Sequence, residues 1–190
     1  MNIVYGGAFN PLTVAHVLIV NKILETFKDA NVIIVPVGND YKKAELIDFK
    51  YRYEMIKKEF NNNSRVIVSD IENLNKFNGT IQTLDLLSKN YSNLMLLVGS
   101  DNILSFDKWI EYKKLLNKYQ LLIVNRNNVD IKNEMNKYQH LDVKYKEIDF
   151  NSDVNSTLIR GDINKYKNWL PVSVYEYIME NKLYGVDINV

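Results

Sequence analysis

One run of eleven residues near the start, Gly6-Gly7-Ala8-Phe9-Asn10-Pro11-Leu12-Thr13-Val14-Ala15-His16, limits what this chain can fold into more than any other. It follows a short apolar run, Ile3-Val4-Tyr5, and opens an apolar-periodic segment, Val17-Leu18-Ile19-Val20 through Phe27. That order reads as strand, tight loop, helix. Gly6 and Gly7 let the backbone turn sharply and come close to a ligand, because no Cβ blocks the approach. The helix that follows aims unpaired N–H groups and the positive end of its dipole at the loop, which suits a phosphate. Thr13 and His16 share one face of its first turn. A hydroxyl and an imidazole then project toward the expected anion.

The spacing is not that of the two better-known phosphate loops. It has neither the G-x-G-x-x-G of dinucleotide folds nor the Lys-Ser/Thr of a P-loop. Two glycines before a helix also describe a plain βα turn with a threonine cap and a surface histidine. The residues around it decide more. Val32-Ile33-Ile34-Val35, Arg65-Val66-Ile67-Val68, Leu94-Met95-Leu96-Leu97-Val98 and Tyr119-Gln120-Leu121-Leu122-Ile123-Val124 are further strand candidates, apolar enough to be covered on both faces. Helical patterns separate them, the clearest from Phe49 to Phe60 with Phe49, Tyr53, Ile56 and Phe60 on one side. Val143 to Ile148 alternates like a last strand with one wet face, and Val129 to Gln139 reads as a short helix or ordered loop. Strands alternating with helices predict an α/β, doubly wound parallel sheet.

Size and charge bound the function. With 190 residues, 46% of them apolar, the chain can bury one sizeable core. A net charge of +1 makes no electrostatic case for nucleic acid or an anionic membrane. The absence of cysteine excludes disulfides, thiolate metal sites and a cysteine nucleophile. No run approaches the roughly 20 apolar residues of a membrane span, and no signal peptide is read, so the expectation is a cytoplasmic protein. Arginine stands only at 52, 65, 126 and 160 in a Lys- and Asn-rich chain. Each one matters, since only arginine offers phosphate a planar bidentate fork.

Two motifs carry a resemblance. Gly6 to His16 resembles the G-x-F-(D/N)-P-x-(H/T)-x-x-H signature of the nucleotidylyltransferase superfamily. Val154-Asn155-Ser156-Thr157-Leu158-Ile159-Arg160 is similar to that superfamily's I-S-S-T-x-I-R near the other end. Val172 to Tyr184 resembles the family's ending, V-x-x-Y-I-x-x-x-x-L-Y. The likeness covers essentially the whole chain and implies a single Rossmann-like nucleotidylyltransferase domain over residues 1–190, with a small C-terminal helical part.

The likeness also implies residue roles. Gly6, Gly7, Ala8 and Phe9 would cradle ATP. His16 and Thr13 would meet the transferring phosphate, and Lys42, or Lys43 one along, the triphosphate with Ser156, Thr157 and Arg160. Gly99 and Asp101, after the strand Leu94–Val98, would meet ribose or a cation, and Arg126 would lie near adenine and the triphosphate. Gly79-Thr80-Ile81-Gln82-Thr83 partly matches the Y-T-x-D-T helix opening of the nicotinate-nucleotide branch, so Thr80, Trp109 and Asn10 would face the mononucleotide. Without the family Thr80 is an N-cap, Trp109 a core aromatic and Arg52 a structural helix residue.

The implied activity is adenylyl transfer from ATP to nicotinate mononucleotide, with Mg²⁺ held mostly by the triphosphate and water. Two departures stand out: Thr13 where most bacterial nicotinate-nucleotide enzymes have histidine, and Asn10 for the usual aspartate. They keep other readings open, namely nicotinamide mononucleotide or both nucleotides as acceptor, phosphopantetheine as acceptor, or a nucleotide sensor without chemistry. A homo-oligomer also stays open.

Overall fold

The computed structural model describes residues 1–41, 45–125 and 129–186. Lys42, Lys43 and Arg126 lie outside the described residues. Among those described, six strands form one parallel sheet: β1 (Asn2–Gly7), β2 (Asn31–Pro36), β3 (Val66–Val68), β4 (Leu94–Gly99), β5 (Gln120–Asn125) and β6 (Tyr145–Asp149). Their order across the sheet is β3-β2-β1-β4-β5-β6. Tyr5 stands beside Ile34 on one side and Leu97 on the other. The helices are α1 (Val14–Thr26), α2 (Phe49–Phe60), α3 (Ile71–Leu74), α4 (Thr80–Leu87), α5 (Ser100–Ile103), α6 (Tyr112–Lys118), α7 (Ile131–Met135), α8 (Ser156–Gly161) and α9 (Val172–Glu180).

Alternation along the strands splits the core into two layers. Ile3, Tyr5, Val32, Ile34, Met95, Leu97, Leu122 and Val124 pack with Ile19, Ile23, Met55, Ile56, Val174 and Ile178 of α1, α2 and α9. Val4, Ile33, Val35, Leu96, Val98, Leu121 and Ile123 point the other way, onto Ile81, Leu84, Leu115, Leu116 and Ile131 of α4, α6 and α7. Apolar side chains on both faces require helices on both faces, which is why these runs are continuous and not alternating. The chain leaves β1 toward one face and returns through α4 to β4 from the other. That reversal leaves a crevice at the carboxyl ends of β1 and β4, where open α/β sheets bind ligands.

Local departures from the sequence expectation have local causes. α1 ends at Thr26, with Phe27 as its C-cap. The last helix stops at Glu180, and Leu183–Gly185 forms a separate turn because Lys182 adopts a left-handed conformation at φ 51°. Residues 131–138 are helical, as α7 and a following turn. β6 is an edge strand whose one deeply buried side chain is Ile148. No helix among the described residues is long and apolar enough to cross a membrane.

Candidate active site

The crevice holds a cavity of about 830 Å³, and its wall is built from strand ends and helix starts. Gly6, Gly7, Ala8 and Phe9 of the first loop line it, with His16 at the start of α1. Thr80, Gly99, Asp101 and Trp109 complete the predicted residues found there. Residues named from four separate stretches of chain therefore converge on one space.

His16 is fixed by a reciprocal cap. The backbone N–H of Thr13 donates to His16 Nδ1 at 3.0 Å, and the backbone N–H of His16 reaches the Thr13 hydroxyl at 3.5 Å. The box usually has Glu or Gln in the third helical position, and here an imidazole takes that place. The consequence is chemical. A ring nitrogen accepting from an amide has no proton of its own, so a neutral ring carries its proton on Nε2. Phe9 meets the imidazole edge-on at 5.1 Å and holds its plane.

The same cap engages Thr13. Its side chain is 1% exposed, it does not line the cavity, and its hydroxyl lies 2.9 Å from His16 Nδ1. Capping uses the oxygen that was expected to meet a phosphate. Thr13 orients His16.

Asn10 is engaged likewise. It is 3% exposed, lies outside the cavity wall, and every polar atom of its side chain is used. Its Nδ2 donates to the Glu45 carbonyl at 2.8 Å, and its Oδ1 accepts from Tyr184 Oη at 2.9 Å and Ile47 N at 3.4 Å. An amide supplies both a donor and acceptors, so asparagine suits this junction where aspartate could only accept.

Arg52 is a buried cation whose guanidinium is held by backbone carbonyls. Its Nε, Nη1 and Nη2 donate to the carbonyls of Ile47, Ala8 and Val37 at 2.9, 3.0 and 2.8 Å. Desolvation lowers its pKa below the ordinary guanidinium value. It ties the loops after β1 and β2 to the start of α2, as its structural reading expects. Because C=O and N–H of one peptide point opposite ways, turning the Ala8 carbonyl toward Arg52 turns the Phe9 N–H away from it.

The second motif behaves differently. Ser156, Thr157 and Arg160 do not line the cavity. The cap of α8 is Asn155, whose Oδ1 accepts from the N–H groups of Thr157 and Leu158 at 2.8 and 3.2 Å. The Thr157 and Leu158 amides at the start of α8 are thus occupied. Arg160 Nη1 donates to the Asn10 carbonyl at 2.9 Å, and Nη2 to Glu45 Oε2 at 3.1 Å and Thr157 Oγ1 at 3.3 Å. The motif braces the outer edge of the first loop.

At the far end of the cavity Thr80 is the first helical residue of α4, and the cap is Gly79 and not Thr80. Gly79 has φ +91°, and a Cβ there would stand 2.8 Å from Ile110 Cβ, so glycine is required on both counts. At Gly99 a Cβ would stand 2.3 Å from Asp101 Oδ1, so a larger residue there would push the Asp101 carboxylate aside. Trp109 lines the cavity while its ring meets Phe106 edge-on at 5.2 Å, so packing and lining coexist.

Several wall residues carry no motif signal. Glu72 is 8% exposed and lines the cavity, and its Oε1 accepts from Thr83 Oγ1 at 2.7 Å. Its Oε2 has no hydrogen-bond partner. Burial raises its pKa, the Thr83 bond opposes the rise, and nearby Asp40 adds to it. Tyr41 and Phe77 meet edge-on at 5.3 Å in the same wall. Glu72 and Thr83 are eleven residues apart, and a contact across two helices has no fixed spacing to read.

Comparisons with known proteins agree with this geometry. The family model described as cytidylyltransferase-like matches residues 4–162. The chain is 40% identical over 185 residues to a probable nicotinate-nucleotide adenylyltransferase of Acholeplasma laidlawii, covering 97% of each chain. It is 29% identical to a protein of the same description from Clostridium acetobutylicum, covering 95% of this chain and 97% of that one. Among solved structures, Plasmodium falciparum nicotinic acid mononucleotide adenylyltransferase complexed with NaAD superposes with a TM-score of 0.80 at 25% identity, over 99% of both chains.

Proposed function

The chain belongs to the nicotinate-nucleotide adenylyltransferases within the cytidylyltransferase-like family, and from that membership we propose that it transfers the adenylyl group of ATP to nicotinate mononucleotide, in NAD biosynthesis. The 5′-phosphate oxygen of the mononucleotide attacks the α-phosphorus of ATP. A new P–O bond forms, the bond from the α-phosphorus to the bridging oxygen of the β-phosphate breaks, and pyrophosphate leaves with that oxygen. The nucleophile is already anionic at neutral pH, so no protein base is needed. The protein's tasks are to hold two anions in line and to offset charge at the α-phosphate.

The observation that carries the reading is the capped His16. An imidazole on the cavity wall, with its proton directed to Nε2 by the Thr13 amide, is a donor suited to an α-phosphate oxygen. The loop Gly6–Phe9 supports the phosphates with close backbone, and Arg160 supports them from behind through the Asn10 carbonyl. Asp101 at the end of β4 suits the adenosine ribose, and Thr80 and Trp109 suit the pyridine ring. Lys42 and Arg126 keep their proposed places near the triphosphate by resemblance alone.

Mg²⁺ would enter with ATP. Among the described residues no group of three or more His, Asp or Glu converges to hold a metal, and that donor set suits an ion carried mainly by phosphate oxygens and water. Asp101, at the end of β4, is the carboxylate proposed to touch it. When bound, the ion offsets charge on the leaving pyrophosphate.

The test is pyrophosphate release with ATP and Mg²⁺, offering nicotinate mononucleotide, nicotinamide mononucleotide and phosphopantetheine in parallel. Preference for the first is expected. Equal rates with the two pyridine nucleotides would make this a dual-specificity enzyme. No release with any acceptor, beside clear ATP binding, would leave a sensor.

A further inference from the structure

The turn at Leu183–Gly185 reaches back across the molecule. Tyr184 Oη donates to Asn10 Oδ1 at 2.9 Å, a bond between residues 174 positions apart. The cytidylyltransferase-like match ends at residue 162, so this contact comes from chain beyond the matched stretch. Tyr184 takes a left-handed conformation, φ 58° and ψ 28°, two residues after Lys182 does the same. Non-glycine residues reach that region against steric resistance, and they hold it only when surrounding structure over-determines them. Tyr184 is half-buried against the main core, and its hydroxyl is held by Asn10. Desolvation raises its pKa, with Arg160 and Arg52 opposing the rise.

Asn10 is the residue through which the loop after β1 is held. Arg160 takes its carbonyl, Ile47 and Tyr184 share its Oδ1, and its Nδ2 is bound to the Glu45 carbonyl. Of the two bonds on Oδ1, the one from Tyr184 is shorter by half an ångström, 2.9 against 3.4 Å. The loop residues on the near side of Asn10 form the cavity wall, and Thr13 and His16 on the far side form the cap.

We propose that Tyr184 is a positioning residue for adenylyl transfer, its hydroxyl setting the conformation of the Gly6–Pro11 loop through Asn10. Tyr184 itself touches no substrate. The inference rests on the proposed activity only for its kinetic readout. It gives the C-terminal helical part a task beyond packing: α9 carries the turn that locks the phosphate loop.

The test compares the full chain with Tyr184→Phe, Asn10→Leu and Asn10→Asp. Tyr184→Phe keeps the ring and removes the one donor. With circular dichroism unchanged, it should lose about tenfold in kcat, since small misplacement of a positioning group costs on that order or more. The KM for nicotinate mononucleotide should move by less than about threefold, because its pocket lies at the other end of the cavity. Asn10→Asp keeps an acceptor for the phenol and should stay within about fivefold of wild type, while Asn10→Leu removes it and should fall as Tyr184→Phe does. A kcat within about twofold of wild type for a folded Tyr184→Phe would overturn the proposal, since a purely structural tyrosine lowers the melting temperature alone. Equal losses in Asn10→Asp and Asn10→Leu would overturn it too, and that pair decides the matter if Tyr184→Phe does not fold. ATP affinity, measured by calorimetry, separates this inference from the assigned reaction. If the wild-type chain uses no pyridine nucleotide, the reading of its activity fails, yet Tyr184→Phe should still bind ATP about tenfold more weakly. Unchanged ATP affinity there would sink the positioning role.

Discussion

The two motifs at the ends of the chain read alike as sequence and differ as structure. Each puts small polar residues before a helix, with a cationic or imidazole group one turn on. In the first, Gly6 to His16, the parts that matter meet within three residues of each other, and the imidazole stands in the cavity wall. In the second, the Asn155 side chain takes the amides, and Arg160 turns to the Asn10 carbonyl and Glu45. A motif whose geometry is local can be read from spacing. A motif whose partners lie 115 to 150 positions away cannot.

The difference predicts unequal losses. His16→Ala removes the cavity donor itself and should lower kcat by about 100-fold or more, the scale for one preorganised transition-state contact. ATP binding should persist, because the loop that cradles it is held from the other side by Arg52 and Arg160. Single-turnover pyrophosphate release beside ATP titration measures both. If the two losses were equal, His16 would be a binding residue and not the donor at the α-phosphate.

Arg160→Ala tests the second motif. Its loss should fall on ATP more than on chemistry, with KM for ATP raised about tenfold and kcat lowered by about threefold, since a brace is removed and not a group at the reacting atom. Arg160→Lys should recover little, because a point charge cannot reach Asn10, Glu45 and Thr157 together. A kcat loss matching that of His16→Ala would instead put the guanidinium at the transferring phosphate, and the contrast between the motifs would collapse.

How much was legible follows the same line. The strands were readable because two-sided burial demands unbroken apolar runs, and Phe49–Phe60 was readable because one helical face is apolar. His16, Asp101 and Trp109 were reachable through spacing that a family shares. The bonds of Thr13 and Asn10 have a common reason for escaping a reading by spacing: short polar side chains beside a helix start serve as caps and junctions as readily as ligands. The neutral-ring tautomer of His16 was not legible, since it depends on a backbone amide. Nor was Glu72, which faces the cavity because α3 and α4 pack together.

Glu72 belongs to neither motif and answers to pH. Its pKa is raised from 4.5, mainly by burial. The folded state therefore binds this proton more tightly than the unfolded chain does. The stability from that proton is full below the ordinary value of 4.5 and is lost as pH rises through the raised one. Glu72→Gln keeps an acceptor for Thr83 and never ionises. It should gain about 1 kcal/mol at pH 8, seen as roughly 3 °C in melting temperature, and nothing at pH 4. An equal gain at both pH values would mean that packing and not charge explains the difference.

The smallest effect is the most pointed. Glu45 carries its carboxylate 70% exposed, and it shares Arg160 with the Asn10 carbonyl and Thr157. A carboxylate oxygen on that guanidinium has the charge and bidentate preference of a phosphate oxygen. If the second motif is a brace whose free edge meets the triphosphate, Glu45 competes with ATP for Nη2. Glu45→Gln should then lower KM for ATP by about twofold, and the change should shrink at high salt, since exposed pairs contribute at most about 1 kcal/mol and are screened. Stability should hardly move, because the half-lost pair is at the surface while the Asn10 bond persists. A KM for ATP that rose on this substitution would show that Glu45 holds Arg160 in place for the nucleotide. The brace would then include the carboxylate, and the second motif would be complete only with a residue 115 positions before it.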